Sequence, residues 1–193
     1  MIDGPKLQRR LGCSPDGVLG PLTLTLLFAR LGAKADIASE LGLSAAALFP
    51  RAGWLDTTLR FAHPLAQLAH ESDGFRAMEE YASGKAYEGR ADLGNTQPGD
   101  GVRYKGRGPI QITGRANYRT FGRALGIDLE RRPDLAAVPS IGLQVSAAYW
   151  ASRNLNALAD RDDILGITRA INGGNNGLDD RRARLATVKG LLA

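Results

Sequence analysis

Apolar positions recur at helical spacing over most of the chain and lose that spacing in one stretch near its middle. In "PKLQRRLG", Leu7 and Leu11 stand at i, i+4 with Gly12 as a stop, and "SPDGVLGP" adds an Asp16-Gly17 turn and Pro21 at a first helical position. The pattern predicts a second short helix over "LTLTLLFARLG", ended by Gly32, then helical connector in "DIASELGLSAAALF" and "AGWLDTTLRFA". A further helix is predicted to begin at Pro64 in "PLAQLAHES". It carries Leu65, Leu68, Ala69 and Ser72 on one face and ends at Gly74, which puts Glu71 in its last turn. Residues 82–108, rich in glycine and turn signals, predict loop with a short hairpin. Helical pattern returns in "ANYRTFGRALG", "SIGLQVSAAYWASRNLNAL", "DILGITRAI" and "LDDRRARLATVKGLL". The expected fold is mainly α, with one small irregular or β-hairpin lobe.

A chain of 193 residues suffices for one good core, or for a catalytic domain with a small appendage. The longest apolar run, "LTLTLLFA", falls far short of the roughly 20 residues that span a bilayer, so no stable membrane insertion is expected. The N-terminal "MIDGPKLQRR" lacks the charged-then-apolar order of a secretory signal, which predicts accumulation in the cytoplasm. A single cysteine, Cys13, excludes an internal disulfide framework and a cysteine-based metal site, and reads as a small buried hydrophobe. The net charge of +5 draws the protein toward polyanions. Its basic residues are spread along the chain without a nucleic-acid fold motif, so nucleic acid is not an expected partner.

The stretch "AHESDGFRAMEEYASG" sets Glu71 and Glu80 nine residues apart across a glycine. Inverting hydrolysis of a glycosidic bond needs a protonated carboxyl for the leaving oxygen and an ionised one for the attacking water, about 6.5–9.5 Å apart. Glu71, at the negative end of a helix dipole and beside an apolar face, suits the first role, since both conditions favour the protonated form. Glu80, beyond the Gly74 break, is placed to come from another wall of a cleft. Any two glutamates at this spacing are more often solvated charges, so the pair needs support from its surroundings.

The surroundings supply it. "HES-x-GF" at 70–75, "GNTQPGDGVRYKGRGPIQITGRANY" at 94–118 and "INGGNNGLDDRR" at 171–182, in this order, resemble glycoside hydrolase family 19. The nearest branch in pattern is that of bacteriophage endolysins, chitinase-like in fold and acting on peptidoglycan; the resemblance covers residues 60–190. It implies a lysozyme-like, two-lobed catalytic domain in which Glu71 is the general acid, Glu80 the general base, and Thr113 helps to hold the attacking water. It further implies that Gln111 and Asn117 bind sugar hydroxyl and acetamido groups, that Tyr104 lines the cleft, and that Asn172 and Arg181 belong to the cleft. Arg181 would join a charge network around the carboxylates. Two assignments stay open by one position: Glu79 precedes Glu80, and Arg182 follows Arg181. The "YASGK" that follows Glu80 departs from the Asn-rich segment of many relatives. Each word also has a purely structural reading: "GNTQPGDG" as a turn-rich loop, "INGG" as a helix C-cap, "DDRR" as acids in a first helical turn.

The pattern L-Q-x-x-L-G followed by D-G-x-x-G-P-x-T resembles the start of small helical peptidoglycan-binding domains, over about the first 35 residues. The other reading of this segment is a helical pair packed on the main domain. The implied organisation is a helical segment at 1–40 and a hydrolase domain at 41–193. The implied activity is muramidase-type cleavage of β-1,4 bonds in peptidoglycan glycan strands by a monomer, without metal or organic cofactor. The endolysin likeness also implies a wait in the host cytoplasm until lysis, then action on the cell wall. The competing readings are a chitinase with the same pair and a wall-binding protein whose site has decayed. His63 and His70 lack the further ligands of a metal site.

Overall fold

The structure, a computed structural model, describes residues 2–193. Ten α-helices are present among them: α1 Gly4–Leu11, α2 Pro21–Arg30, α3 Ala35–Arg51, α4 Thr58–Glu71, α5 Asp100–Arg103, α6 Arg115–Leu125, α7 Pro139–Ser152, α8 Leu155–Ala159, α9 Ile164–Asn172 and α10 Leu178–Leu192. None is long and apolar enough to cross a membrane.

Helix α4 is the axis of the fold. Every residue from Phe61 to Ala69 is buried, including His63, Pro64 and Gln67, and α10 and α8 pack along it. The helix begins six residues before Pro64, where the sequence reading started it. Thr57 is the cap, its hydroxyl oxygen accepting the Arg60 N–H at 3.0 Å. Proline inside a helix costs about 3 kcal/mol, and burial of Phe61 and Ala62 on the preceding turn outweighs that. The long segment 140–158 also differs from the single helix its pattern predicts. Asn154 takes a left-handed conformation at φ 50° and divides it into α7 and α8.

One hydrophobic core runs through the molecule, and the two N-terminal helices belong to it. Leu7, Leu24, Leu27 and Phe28 are fully buried with residues of the central helices. Phe28 meets Phe75 edge-on at 4.9 Å and Phe49 at 6.2 Å. Gly42 lets α3 approach α2 so closely that a Cβ there would lie 2.5 Å from the Thr25 backbone nitrogen. The pair α1–α2 is therefore packed on the main body, and residue 40 does not separate two cores. Cys13 is only half-buried.

The segment between α4 and α6 is the irregular lobe. It holds 3₁₀ turns at Lys85–Tyr87 and Ala91–Leu93 and the single turn of α5. The expected hairpin reduces to two isolated antiparallel bridges, Glu79 with Arg107 and Arg107 with Ile112. Frequent left-handed glycines, among them Gly84, Gly89, Gly94 and Gly99, break any longer pairing.

Candidate active site

Along α4, His63, Gln67 and Glu71 stand at i, i+4 and i+8, a polar file on a helix whose buried stretch, Phe61 to Ala69, is otherwise apolar. Each member finds a partner on a neighbouring element. His63 Nε2 lies 2.7 Å from Asp162 Oδ1, and Gln67 Nε2 donates to Thr168 Oγ1 at 3.4 Å. At the end of the file the Arg181 guanidinium donates to Gln67 Oε1 and, at 2.5 Å, to Glu71 Oε1. Its Nε donates to the Asn176 carbonyl at 3.3 Å, the same oxygen that accepts the Asn172 side-chain amide at 2.9 Å. Asn172, Asn176, Arg181 and Glu71 thus form one connected chain. Arg182, the alternative, points outward to Asp179. Glu71 meets the Arg181 guanidinium here, beside the apolar stretch of α4.

The chain reverses sharply after Glu71. Asp73, Gly74 and Phe75 all have positive φ, at 49°, 67° and 62°. Such a backbone costs about 1–2 kcal/mol per residue with a side chain. Burial of Phe75 and the Ser72 hydroxyl, which accepts the Phe75 N–H at 3.0 Å and donates to the Leu68 carbonyl at 2.6 Å, offset that cost. His70 bonds Asp180 Oδ2 at 2.6 Å. Its ring fills the space at Gly177, where a Cβ would come within 2.2 Å of His70 Cε1.

In the segment that carries Glu80, residues 78–80 run antiparallel to 106–108: Glu80 N–H donates to the Gly106 carbonyl at 2.9 Å and Gly108 N–H to the Met78 carbonyl at 2.8 Å. Extended neighbours point to opposite faces, and the two adjacent glutamates accordingly meet different partners. Glu79 pairs with Lys105 Nζ at 2.5 Å and Arg107 Nε at 2.8 Å. Burial works to raise its pKa, and these two cations outweigh it and hold the carboxyl below the usual glutamate range. Glu80 is held by neutral donors, the Gly106 N–H on Oε1 and the Tyr87 hydroxyl on Oε2, both at 2.9 Å. Burial, then the Glu80 carboxylate, push the Tyr87 phenol up.

Gly106 also gathers the remaining polar groups. A Cβ there would lie 2.8 Å from Gln111 Oε1 and 3.4 Å from both the Glu80 carboxyl carbon and Thr113 Oγ1. Gln111 itself has φ 54°, and its amide donates to the Gly108 and Ala77 carbonyls. The Thr113 hydroxyl donates to the Gln111 carbonyl at 3.2 Å, and Asn117 Nδ2 donates to the Thr113 carbonyl at 2.8 Å. Glu80, Thr113 and Gln111 therefore gather around Gly106, and Asn117 is tied to them through the Thr113 carbonyl.

Tyr104 does not belong to this group. Its side chain is only 1% exposed, its hydroxyl donates to the Glu130 carbonyl at 2.9 Å, and the Arg115 guanidinium sits 4.9 Å over its ring. No face of that ring is open to a ligand, so the expectation of a cleft-lining aromatic is corrected to a core residue. Conversely, Gln67 and Tyr87 escaped the sequence reading. Gln67 had a signal, its spacing of four before Glu71; Tyr87 had none, because a loop sets its distance to Glu80.

The family model described as Chitinase class I matches residues 33–174. A glycosyl hydrolase family 19 domain-containing protein of Haemophilus influenzae is 38% identical over 107 residues, 55% of this chain and 52% of that protein. An Arabidopsis thaliana endochitinase is 42% identical over 112 residues, 57% and 38% of the two chains. The chain thus spans about half or less of the length of these relatives. Acidic endochitinase Q of Nicotiana tabacum is 30% identical over 182 residues, covering 78% of this chain and 69% of that protein. Among solved structures, the class IV chitinase of Zea mays superposes with TM-score 0.69 at 22% identity, covering 91% and 92% of the two chains. Chitinase C of Streptomyces griseus does so with TM-score 0.61 at 20% identity, covering 99% and 92%. These last two likenesses establish the fold, and the family match across most of the sequence establishes the rest: this chain belongs to glycoside hydrolase family 19.

Proposed function

We propose that the chain hydrolyses β-1,4 bonds between N-acetylated amino sugars with inversion, and that its substrate is the glycan strand of bacterial peptidoglycan. The observation that carries the reaction is the unlike holding of two carboxyls: Glu71 on the Arg181 guanidinium, Glu80 on the Gly106 N–H and the Tyr87 hydroxyl. Glu71 gives its proton to the bridging oxygen, and Arg181 stabilises the carboxylate left behind. Glu80 has no cation on its side-chain oxygens, so its charge stays available to draw a proton from water that Thr113 orients. Gln111 and Asn117, gathered with Glu80 and Thr113, hold the sugar.

Two observations favour the wall over chitin: the net charge of +5, suited to an anionic envelope, and the wall-binding pattern of α1–α2. Val18 and Leu22, 64% and 66% exposed beside that pair, are the contacts we assign to the wall. Lysis of a host cell by a phage-type endolysin is the setting this substrate fits. The second reading, a chitinase, is favoured by the endochitinases among the relatives. Mass spectrometry of products from purified peptidoglycan and from chitin, digested in parallel by wild type and Glu71→Gln, decides between them. Muropeptides ending in reducing muramic acid, lost in the variant, support the wall reading. Products from chitin alone replace it, and no products from either polymer overturn the hydrolase reading.

A further inference from the structure

Tyr81 is the most exposed of the large hydrophobic side chains, at 81%, and it directly follows Glu80. Leaving an aromatic ring in water forgoes the burial that such side chains ordinarily gain. The ring is nevertheless held in place: its hydroxyl donates to Asp73 Oδ2 at 3.2 Å. Asp73 lies two residues after Glu71, at the start of the left-handed reversal. The bond therefore joins the turn that leaves the Glu71 helix to the segment that carries Glu80. Tyr81 thus ties the segment that carries Glu80 to the turn that follows Glu71, and its ring stays open to solvent.

We propose that Tyr81 is a sugar platform of this cleft, a binding residue on whose ring a pyranose of the β-1,4-linked amino-sugar chain stacks next to the site of cleavage. A pyranose offers a face of C–H groups, and an aromatic ring offers a negative π-face that attracts them; the hydroxyl end stays wet and tied to Asp73. Such a ring has few torsions to freeze, so stacking costs it little entropy. The chemistry reads the backbone of the polymer and not its substituents, so Tyr81 serves neutral chitin oligomers and wall glycan alike. It also gives "YASGK", which departs from the Asn-rich segment of many relatives, a sugar contact of its own. The inference rests on the glycan-hydrolase reading above, but not on the choice between the two polymers.

The test is calorimetric binding of a chitin hexamer to the full chain carrying Glu71→Gln, which removes turnover, with and without a second change at Tyr81. Tyr81→Ala is expected to weaken binding about tenfold, while Tyr81→Phe, which keeps the ring and loses the tether, stays within about threefold of Tyr81. Tyr81→Trp restores full affinity. In the otherwise wild-type chain Tyr81→Ala should raise KM more than it lowers kcat, with an unchanged thermal midpoint, as loss of uniform binding does. Equal hexamer affinity for Tyr81 and Tyr81→Ala overturns the platform, and so does a Tyr81→Phe variant as weak as Tyr81→Ala. Binding that depends on Tyr81 in a wild-type chain that cleaves neither polymer leaves the platform standing and overturns the hydrolase reading instead.

Discussion

Arg181, in the first turn of α10, closes on Glu71, in the last turn of α4, with one guanidinium nitrogen while another holds Gln67 one helical turn earlier. The side chain of Arg181 is 2% exposed and that of Glu71 18%, so the contact joins two helices and the site in one place. Only a planar fork serves two acceptors on one helix and a carbonyl on a loop at once. Breaking one side of a buried pair costs about 3–5 kcal/mol, and the partial exposure of Glu71 returns some of it, so Arg181→Met is expected to lose about 2–4 kcal/mol. Arg181→Lys should recover only part of that, and Arg182→Ala should stay within about 0.5 kcal/mol of wild type. Urea denaturation midpoints check the order; equal losses at 181 and 182 would contradict it.

Glu79 and Glu80 are adjacent in sequence and differ in their partners, two cations on the first and two neutral donors on the second. In the proposed reaction Glu80 is the base; Glu80→Gln keeps the size of the side chain and removes its charge, so hydrolysis should fall by about 10²–10⁴ with little change in stability. Glu79→Gln releases Lys105 and Arg107 from their partner. It should cost about 1 kcal/mol, because the Glu79 side chain is 42% exposed, and leave most of the rate. Turnover and melting of the two variants side by side give the answer. The reverse pattern would move the base to Glu79.

How much of this was legible beforehand depends on the kind of contact. The helices of the C-terminal half and Glu71 at a helix end follow from periodicity and caps, which are local. The order of the three long motifs gave the family, and with it most of the polar group around Gly106. What stayed hidden depends on chain segments far apart. The family resemblance puts Tyr104 in the cleft, yet Glu130 and Arg115 enclose it from elsewhere. The start of α4 was misplaced because proline propensity is local and the burial of Phe61 and Ala62 is not. Apolar spacing and turn signals at the N-terminus gave the two helices correctly and left open whether the pair packs on the main domain; that Leu24 and Phe28 share its core depends on contacts far along the chain.

That shared core is testable at Gly42. A methyl group there would stand 2.2 Å from Thr25 Oγ1 and 2.5 Å from its backbone nitrogen, so α2 has to move away from α3. Overpacking of this kind costs about 1–3 kcal/mol, against the roughly 1 kcal/mol that alanine gains over glycine in a helix. Gly190 in α10 has nothing within 4 Å of its would-be Cβ, so Gly190→Ala should gain about 0.5–1 kcal/mol. Gly42→Ala should lower the midpoint of a single unfolding transition. A separate early transition, with the main one unmoved, would mean that the N-terminal pair is an independent unit.

His63 makes stability depend on pH near neutrality. Its side chain is fully buried, Nδ1 has no partner among the described residues, and Nε2 meets Asp162, which Lys189 also engages through both carboxylate oxygens. Burial pushes the imidazole below its ordinary value, against the pull of Asp162, while Lys189 adds to the depression and Asp163 opposes it. The unfolded chain therefore takes up the proton first as pH falls, at about 6.5. The stability tied to neutral His63 is fully present above that value and declines as pH drops from there toward the folded-state pKa. Melting temperatures should fall between pH 7 and pH 5.5, before carboxylates protonate in number, and His63→Gln should flatten that decline whatever its own midpoint. An equally steep decline in His63→Gln would assign the dependence to another group.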